Sequence, residues 1–153
     1  MDNELTNGRK HGLEKTLTAL REIAVETNKE WSTIFGIPQS TAITCVKPSG
    51  TVSQLVDSSS GIHPRHSSYY IRTVRGDNKD PLTNFMVDSG IPSEADFMKP
   101  DTQTVFSFPM KSPKNSVMRN DMTAIEQLEM WLLYQRHWCE HKPSVTISCL
   151  LYT

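Results

Sequence analysis

The chain has 153 residues, of which 37% are hydrophobic and 22% charged, and its formal net charge is −1. This composition is typical of a globular domain with a real core. The interspersed charges argue against direct nucleic-acid binding, which needs a concentrated basic face. No apolar run approaches the ~20 residues that span a bilayer. Three scattered cysteines without a secretory signal predict free thiols and a cytoplasmic location.

The first part of the chain has a helical pattern. Residues 1–12 are polar and are expected to form a flexible N-terminus. From Leu13 to Phe35, apolar residues recur every three or four positions, which predicts a helix. Gly36 and Pro38 are typical of residues that end a helix.

Three segments in the middle of the chain have the composition of strands. Residues 41–46 are mostly apolar and β-branched, which predicts a strand buried on both faces. Residues 69–75 and 104–109 predict further strands, the latter with Pro109 at its exit. Residues 81–89 have weak helical spacing.

The last part predicts a helix followed by a strand. Thr123 and Glu126 have the spacing of a capping box, and the helix is expected to reach about His141. Residues 144–151 alternate in polarity and predict a strand. The expected inner face of the helix is Ile125, Leu128, Trp131, Leu132 and Tyr134 or Gln135. Helices alternating with strands favour an α/β architecture, although so few strands cannot close a large barrel alone. A self-contained α/β sandwich is therefore kept as an alternative fold.

The turn after the first predicted strand has the composition of an anion site. In residues 47–53, KPSGTVS, Gly50 allows close backbone approach, and Ser49, Thr51 and Ser53 add hydroxyl donors. Consecutive amides in such a turn can point into one concavity and hold a phosphate. The Walker A spacing is absent. The alternative is an ordinary turn with a capping serine.

Other clusters have simpler interpretations. His137 and His141 are at most two ligands, short of the four usual for structural zinc, so no metal site is predicted. Histidines in a loop are more often hydrogen-bonded to backbone than catalytic, and this interpretation is favoured for His63 and His66. Cys45, within a predicted strand, is expected to be a buried, inert thiol.

Several motifs occur in order along the chain. They are TNKEW (27–31), TCVKPSGTVS (44–53), SGIHPRHS (60–67), YYIR (69–72), FSFP (106–109), RNDMTA (119–124) and WCEHKPSVTIS (138–148). This ordered set resembles the adenosylcobalamin-dependent (class II) ribonucleotide reductases, most closely the monomeric type that acts on ribonucleoside triphosphates. The similarity covers about residues 13 to 148.

The resemblance implies a fold and a chemistry. The fold is a ten-stranded α/β barrel of the ribonucleotide reductase and glycyl radical enzyme type, of which residues 13–148 would be an incomplete part from the C-terminal half. The implied reaction makes 2′-deoxyribonucleotides, the precursors of DNA. Adenosylcobalamin generates a thiyl radical on a cysteine in a finger loop. A thioredoxin-type dithiol then regenerates the reducing cysteines.

The resemblance also implies roles for particular residues. Pro48, Ser49, Gly50 and Thr51 match the loop that cradles the substrate phosphates. Ser53, Gly61, Ile62 and His63 match positions near the active site, without an assigned chemical step.

The family's catalytic motifs are missing from this sequence. The finger-loop motif, the cobalamin-facing elements and the shuttle cysteines are absent, so no catalytic residue is expected and adenosylcobalamin would be bound mainly outside this chain. The isolated chain is expected to be inactive, and the rest of the barrel would be its partner. The alternatives are a non-catalytic nucleotide-phosphate binding module or an inactive truncated remnant. Met1 is interpreted as an internal start of a split or damaged gene. Residues 149–153 are a divergent tail, and Cys149 is a candidate first residue of an intein.

Overall fold

In a computed structural model, residues 12–148 are described, and they form two compact units. One comprises residues 12–66 and 113–148, and the other residues 67–112. The predicted flexible N-terminus and divergent tail lie, apart from Gly12, outside the described residues. In chain order the elements are α1 (Leu13–Phe35), α2 (Val52–Leu55), β1 (Tyr69–Asp77), α3 (Pro81–Asp88), β2 (Ser93–Ala95), β3 (Gln103–Lys111), a 3-10 turn (Arg119–Asp121) and α4 (Ala124–His137).

The first predicted helix is confirmed as α1. It ends at Gly36, whose backbone N–H donates to the carbonyls of Ser32 and Thr33. The φ angle of Gly36 is 64°, in the left-handed region that glycine adopts without a Cβ penalty. The helical periodicity and the glycine at the end are therefore sufficient to predict this helix and its C-terminus.

The predicted strand at residues 41–46 is wrong, because no strand among residues 12–148 pairs with it. Polar groups beyond the end of α4 hold this segment instead. The Glu140 carboxylate accepts the backbone N–H groups of Ile43 and Thr44, the second at 3.1 Å. The Thr44 hydroxyl donates to the Trp138 carbonyl at 2.5 Å, and the Trp138 indole donates to the Cys45 carbonyl at 3.0 Å. Thr44 is buried, whereas Cys45 is only half-buried.

Helix α4 has the predicted cap but a different buried face. Thr123 and Glu126 form a reciprocal capping box, as the spacing predicts. The helix ends at His137, four residues before the expected end. Ile125, in the predicted inner face, is 64% exposed, and Leu128 and Leu132 are also exposed.

Packing against α1 explains this rotation of the buried face. The buried residues of α4 are Gln127, Met130 and Tyr134, so Tyr134 is the buried member of the predicted set. The core of this unit comprises Leu13, Leu17, Ile62, Val117, Met122, Met130, Tyr134 and Cys139. His137 also joins the two helices, with Nδ1 3.1 Å from the Thr18 hydroxyl and Nε2 3.5 Å from a Glu14 carboxylate oxygen.

The last predicted strand does not form within the described residues. Residues 144–148 have no regular structure, and residues 149–151 of this prediction lie outside the described part. The Ser148 amide donates to the Gln127 side-chain oxygen at 3.0 Å. A single side chain thus takes a backbone group that a neighbouring strand would bond in a sheet.

The second unit contains a three-stranded antiparallel sheet in the order β1-β3-β2. It confirms the strands predicted at residues 69–75 and 104–109, while β2 was not predicted. Pro109 lies inside β3, opposite Ile71, rather than at the strand exit. The Ser107 amide donates to the Pro92 carbonyl at 2.9 Å, on the side of β3 that faces β2.

Helix α3 packs close to this sheet where β1 has a glycine. Asp80 caps α3 by accepting the Leu82 amide at 2.9 Å. Thr83, on the first turn, is buried. A Cβ at Gly76 would overlap Thr83 Oγ1 and lie 3.2 Å from Phe106 Cε2. Gly76 is therefore required by close packing.

We predict that Gly76→Ala lowers the free energy of unfolding by about 1–3 kcal/mol, because the added methyl group overpacks this contact. Urea denaturation would measure the change. Gly50→Ala is the matched control, since a Cβ there meets no atom within 4 Å. The double variant Gly76→Ala/Thr83→Ala should recover part of the loss, and no recovery would contradict the packing explanation.

We also predict a pH-dependent effect of Glu140. The amides of Ile43 and Thr44, with a smaller contribution from Arg21, hold the pKa of the Glu140 carboxyl below its usual value. A lowered folded-state pKa stabilises the protein above the unfolded-state value, about 4.3. This stabilisation is lost as the pH falls through the folded-state pKa.

Glu140→Gln should therefore lower the urea midpoint at pH 7, and the two proteins should converge in acid. Glu129→Gln, an exposed residue of α4, is the control. A deficit of equal size at every pH would show that the carboxylate charge is not the cause.

Candidate phosphate-binding site

The predicted phosphate loop joins the segment held by Glu140 to α2. Pro48, Gly50 and Thr51 are exposed, and Ser49 is half-buried. A Cβ at Gly50 would enter open space. The fold therefore does not need glycine here for packing, and the open side of the loop is accessible to a ligand.

Ser49 organises the loop from within. Its hydroxyl accepts the backbone N–H of Ser53 at 3.2 Å, as a capping serine does at the start of a helix. Its carbonyl accepts the Ser60 hydroxyl at 2.9 Å. The Ser49 side chain is thus engaged within the protein, so a bound anion would rely on backbone amides and on the Thr51 hydroxyl.

Ser60 connects the loop to His63. The Ser60 carbonyl lies 3.1 Å from the His63 amide nitrogen and 2.8 Å from His63 Nδ1. Because a carbonyl only accepts, Nδ1 carries a hydrogen and the orientation of the ring is fixed. The His63 imidazole is thus joined to the loop through one intervening residue.

Gly61 allows this segment to approach the loop. Its φ angle is 57°, and a Cβ would lie 3.3 Å from Val46 Cγ1 and 3.5 Å from the Lys47 carbonyl oxygen. Both the left-handed conformation and the close approach favour glycine. Ile62, by contrast, is buried in the core and contributes packing.

Arg65 holds the turn after α2, a role that the sequence analysis missed. Its Nη2 donates to the Asp57 carbonyl at 2.5 Å, and Nη1 lies 3.5 Å from Asp57 Oδ1. Its own backbone pairs with the Val117 carbonyl and the Arg119 amide. Arg65 is 7% exposed. An arginine between two histidines gives no local signal of burial, so only the fold identifies it.

Two buried polar atoms have no protein partner within the described residues. They are the Ser53 hydroxyl oxygen and the Arg65 Nε. Buried polar groups are normally hydrogen-bonded, and an unpaired one costs about 1–3 kcal/mol. Both flank the turn that follows the loop, and both are donors.

Two cysteines, Cys45 and Cys139, fall in the described part. Burial raises the pKa of the Cys139 thiol, which keeps it protonated. Cys45 is half-buried, less than expected, and its carbonyl is bonded to Trp138. Cys149, the candidate intein residue, lies outside the described residues.

Neither a metal cluster nor a membrane span occurs in residues 12–148. Within that range, no three His, Cys, Asp or Glu side chains come together as metal ligands. No helix there is both long and apolar enough to cross a bilayer.

Comparison with known proteins gives a consistent set of relatives. The chain is 31% identical over 144 residues to the adenosylcobalamin-dependent ribonucleoside-triphosphate reductase of Euglena gracilis, covering 94% of this chain and 20% of that protein. It is 30% identical over 138 residues to the enzyme of that name from Lactobacillus leichmannii, covering 88% and 18%. No family model matches the sequence. The chain thus spans about a fifth of the length of these relatives.

A solved structure matches the fold as well. The crystal structure of a B12-dependent (class II) ribonucleotide reductase superimposes with a TM-score of 0.70 at 30% identity. The match covers 88% of this chain and 19% of that one. The resemblance in the sequence motifs is therefore confirmed: the chain is related to one segment, about a fifth of the length, of the adenosylcobalamin-dependent ribonucleoside-triphosphate reductases.

Proposed function

We propose that this chain is the part of an adenosylcobalamin-dependent ribonucleoside-triphosphate reductase that positions the substrate phosphates. Pro48, Ser49, Gly50 and Thr51 form the binding loop in this proposal. The observation that carries it is the exposed turn at Gly50, which opens to solvent while Ser49 fixes its inner side.

The loop binds phosphate through dipoles rather than formal charge. Helix α2 begins directly after Thr51, and the Ser53 amide at its start already donates to the Ser49 hydroxyl. In this proposal, the donors to the phosphates are other backbone amides of the turn and the Thr51 hydroxyl. Ser53, Gly61 and His63 support this set, and Ile62 fills the core beneath it. Holding the phosphates would orient the ribose for reaction, which contributes positioning rather than bond chemistry.

The rest of the proposed enzyme supplies the reaction. Residues 13–148 would occupy part of the C-terminal half of a ten-stranded α/β barrel. Adenosylcobalamin supplies the radical when bound, mainly by other parts of the enzyme, and the described residues are assigned no contact with it. A thioredoxin-type dithiol would be the reductant and a ribonucleoside triphosphate the substrate, in the cytoplasm. Neither Cys45 nor Cys139 is assigned a catalytic step.

Exposed apolar side chains support completion by further protein. On α1, Ile34 is 61% exposed and Phe35 65% exposed. On α4, Ile125 and Leu128 face outward. Large exposed apolar surfaces are typical of contact with other protein elements.

We predict that Gly50→Val weakens nucleotide binding by about tenfold or more, because a β-branched side chain blocks close approach to the amides. Isothermal titration of the chain with CTP would measure this. Gly50→Ala should have a smaller effect, and unchanged thermal unfolding of both variants would exclude misfolding. Undiminished binding by Gly50→Val would favour the simpler alternative, a capped turn without a ligand.

We also predict that the chain alone makes no deoxynucleotide from CTP with adenosylcobalamin and dithiothreitol. The reason is that the finger-loop motif, which carries the radical-forming cysteine in this family, is absent from the sequence. Chromatography of the nucleotides would detect turnover, and a related full-length reductase would be the positive control. Product formed by the chain alone would contradict the assignment of this chain to a positioning role.

A further inference from the structure

The fold brings together two cysteines that are far apart in the sequence. Thr44, the residue before Cys45, is hydrogen-bonded to both neighbours of Cys139. Its hydroxyl donates to the Trp138 carbonyl at 2.5 Å, and its carbonyl accepts the Glu140 amide at 3.0 Å. Cys45 and Cys139 therefore lie on two segments that are hydrogen-bonded to each other.

The backbone groups that follow in the first segment make the same connection. The Cys45 carbonyl accepts the Trp138 indole N–H at 3.0 Å. The next amide, that of Val46, donates to the Cys139 sulfur. Because this amide nitrogen is covalently bonded to the Cys45 carbonyl carbon, the Cys139 sulfur lies next to the Cys45 backbone. A disulfide joins Cα atoms about 4.4–6.8 Å apart, a range that includes hydrogen-bonded neighbouring segments.

The two thiols differ in access to solvent and in protonation. Cys45 is half-buried, whereas Cys139 is 3% exposed and belongs to the core. Burial raises the pKa of the Cys139 thiol, the Val46 amide lowers it, and the nearby Cys45 raises it. Oxidants attack the accessible thiol that ionises more readily. We therefore expect Cys45 to react first and Cys139 to react with its product.

We propose that Cys45 and Cys139 form a reversible disulfide when the protein encounters a hydroperoxide. With hydrogen peroxide, one oxygen atom is transferred to the Cys45 sulfur, which gives a sulfenic acid, and the other leaves as water. The Cys139 sulfur then attacks the Cys45 sulfur, and the sulfenic hydroxyl leaves as water with the Cys139 proton. The two thiols lose two electrons and two protons, which the peroxide takes up. A dithiol reduces the disulfide by exchange.

The disulfide fixes the segment that precedes the predicted phosphate loop. Cys45 lies three residues before Pro48, and hydrogen bonds alone hold it in the reduced protein. A covalent link between residues 45 and 139 closes a long loop and lowers the entropy of the unfolded chain. Oxidation therefore stabilises the fold. The inference does not depend on nucleotide binding.

The test uses the full chain with Cys149→Ser, so that Cys45 and Cys139 are the two thiols that remain. After hydrogen peroxide treatment, we expect mass spectrometry to show the loss of two hydrogen atoms and a link between the tryptic peptides that contain Cys45 and Cys139. Dithiothreitol should restore both thiols. The oxidised protein should have a higher urea midpoint than the reduced protein.

Single substitutions in the same background test the order of oxidation. In Cys139→Ser, the Cys45 sulfenic acid has no second thiol to react with, so it should accumulate and be trapped by dimedone. In Cys45→Ser, the buried Cys139 should stay reduced in the folded protein. Should Cys139→Ser lose its cooperative thermal transition, Cys139→Ala replaces it, because alanine places no hydroxyl in the core.

Three results would overturn the proposal. One is that both thiols stay reduced in the folded protein under peroxide. Another is that disulfides form between chains and none within a chain, as seen on a non-reducing gel. The third is that dimedone labels Cys139 in Cys45→Ser faster than it labels Cys45 in Cys139→Ser.

Discussion

The Glu140 carboxylate fixes the position at which the loop begins. It accepts two consecutive backbone amides, those of Ile43 and Thr44, and charge-assisted bonds of this kind are stronger than neutral ones. The Trp138 indole and carbonyl bind the next groups along the chain. The segment from Ile43 to Cys45 is thereby held by residues just beyond the end of α4, and the loop starts at Pro48, three residues later. The orientation of Ser49, and through Ser60 that of His63, depends on this attachment.

Elements with strong local signals were predictable from the sequence. Helix α1 has its periodicity and its glycine stop, and α4 has its capping box. Strands β1 and β3 are long and rich in β-branched and aromatic residues. In each case, the residues of the element itself carry the signal that predicts it.

The remaining elements depend on partners that a local pattern cannot specify. Residues 41–46 have strand composition, but a strand requires a neighbour, and here a carboxylate and an indole take the backbone groups. The buried face of α4 depends on distant partners, because Met130 and Tyr134 pack with Leu13 and Leu17 of α1. Gln127 is buried where it bonds the Met122 carbonyl and the Ser148 amide. Likewise, Gly50 and its hydroxyl neighbours mark the loop, whereas Arg65 acts through a bond to Asp57, eight residues away.

Pro109 removes a hydrogen-bond donor from the side of strand β3 that faces β2. The Ser107 amide points to the β2 side, and amides two residues apart in a strand point the same way. Proline has no amide hydrogen, so β3 has no hydrogen-bond donor at residue 109 on that side. The pairing of β3 with β2 ends at Phe106, opposite Ser93. A strand from another molecule that paired with β3 beyond β2 would find no backbone donor at Pro109. This exposed part of β3 is therefore poorly suited to pair with a strand of another molecule, an association that would lead to aggregation.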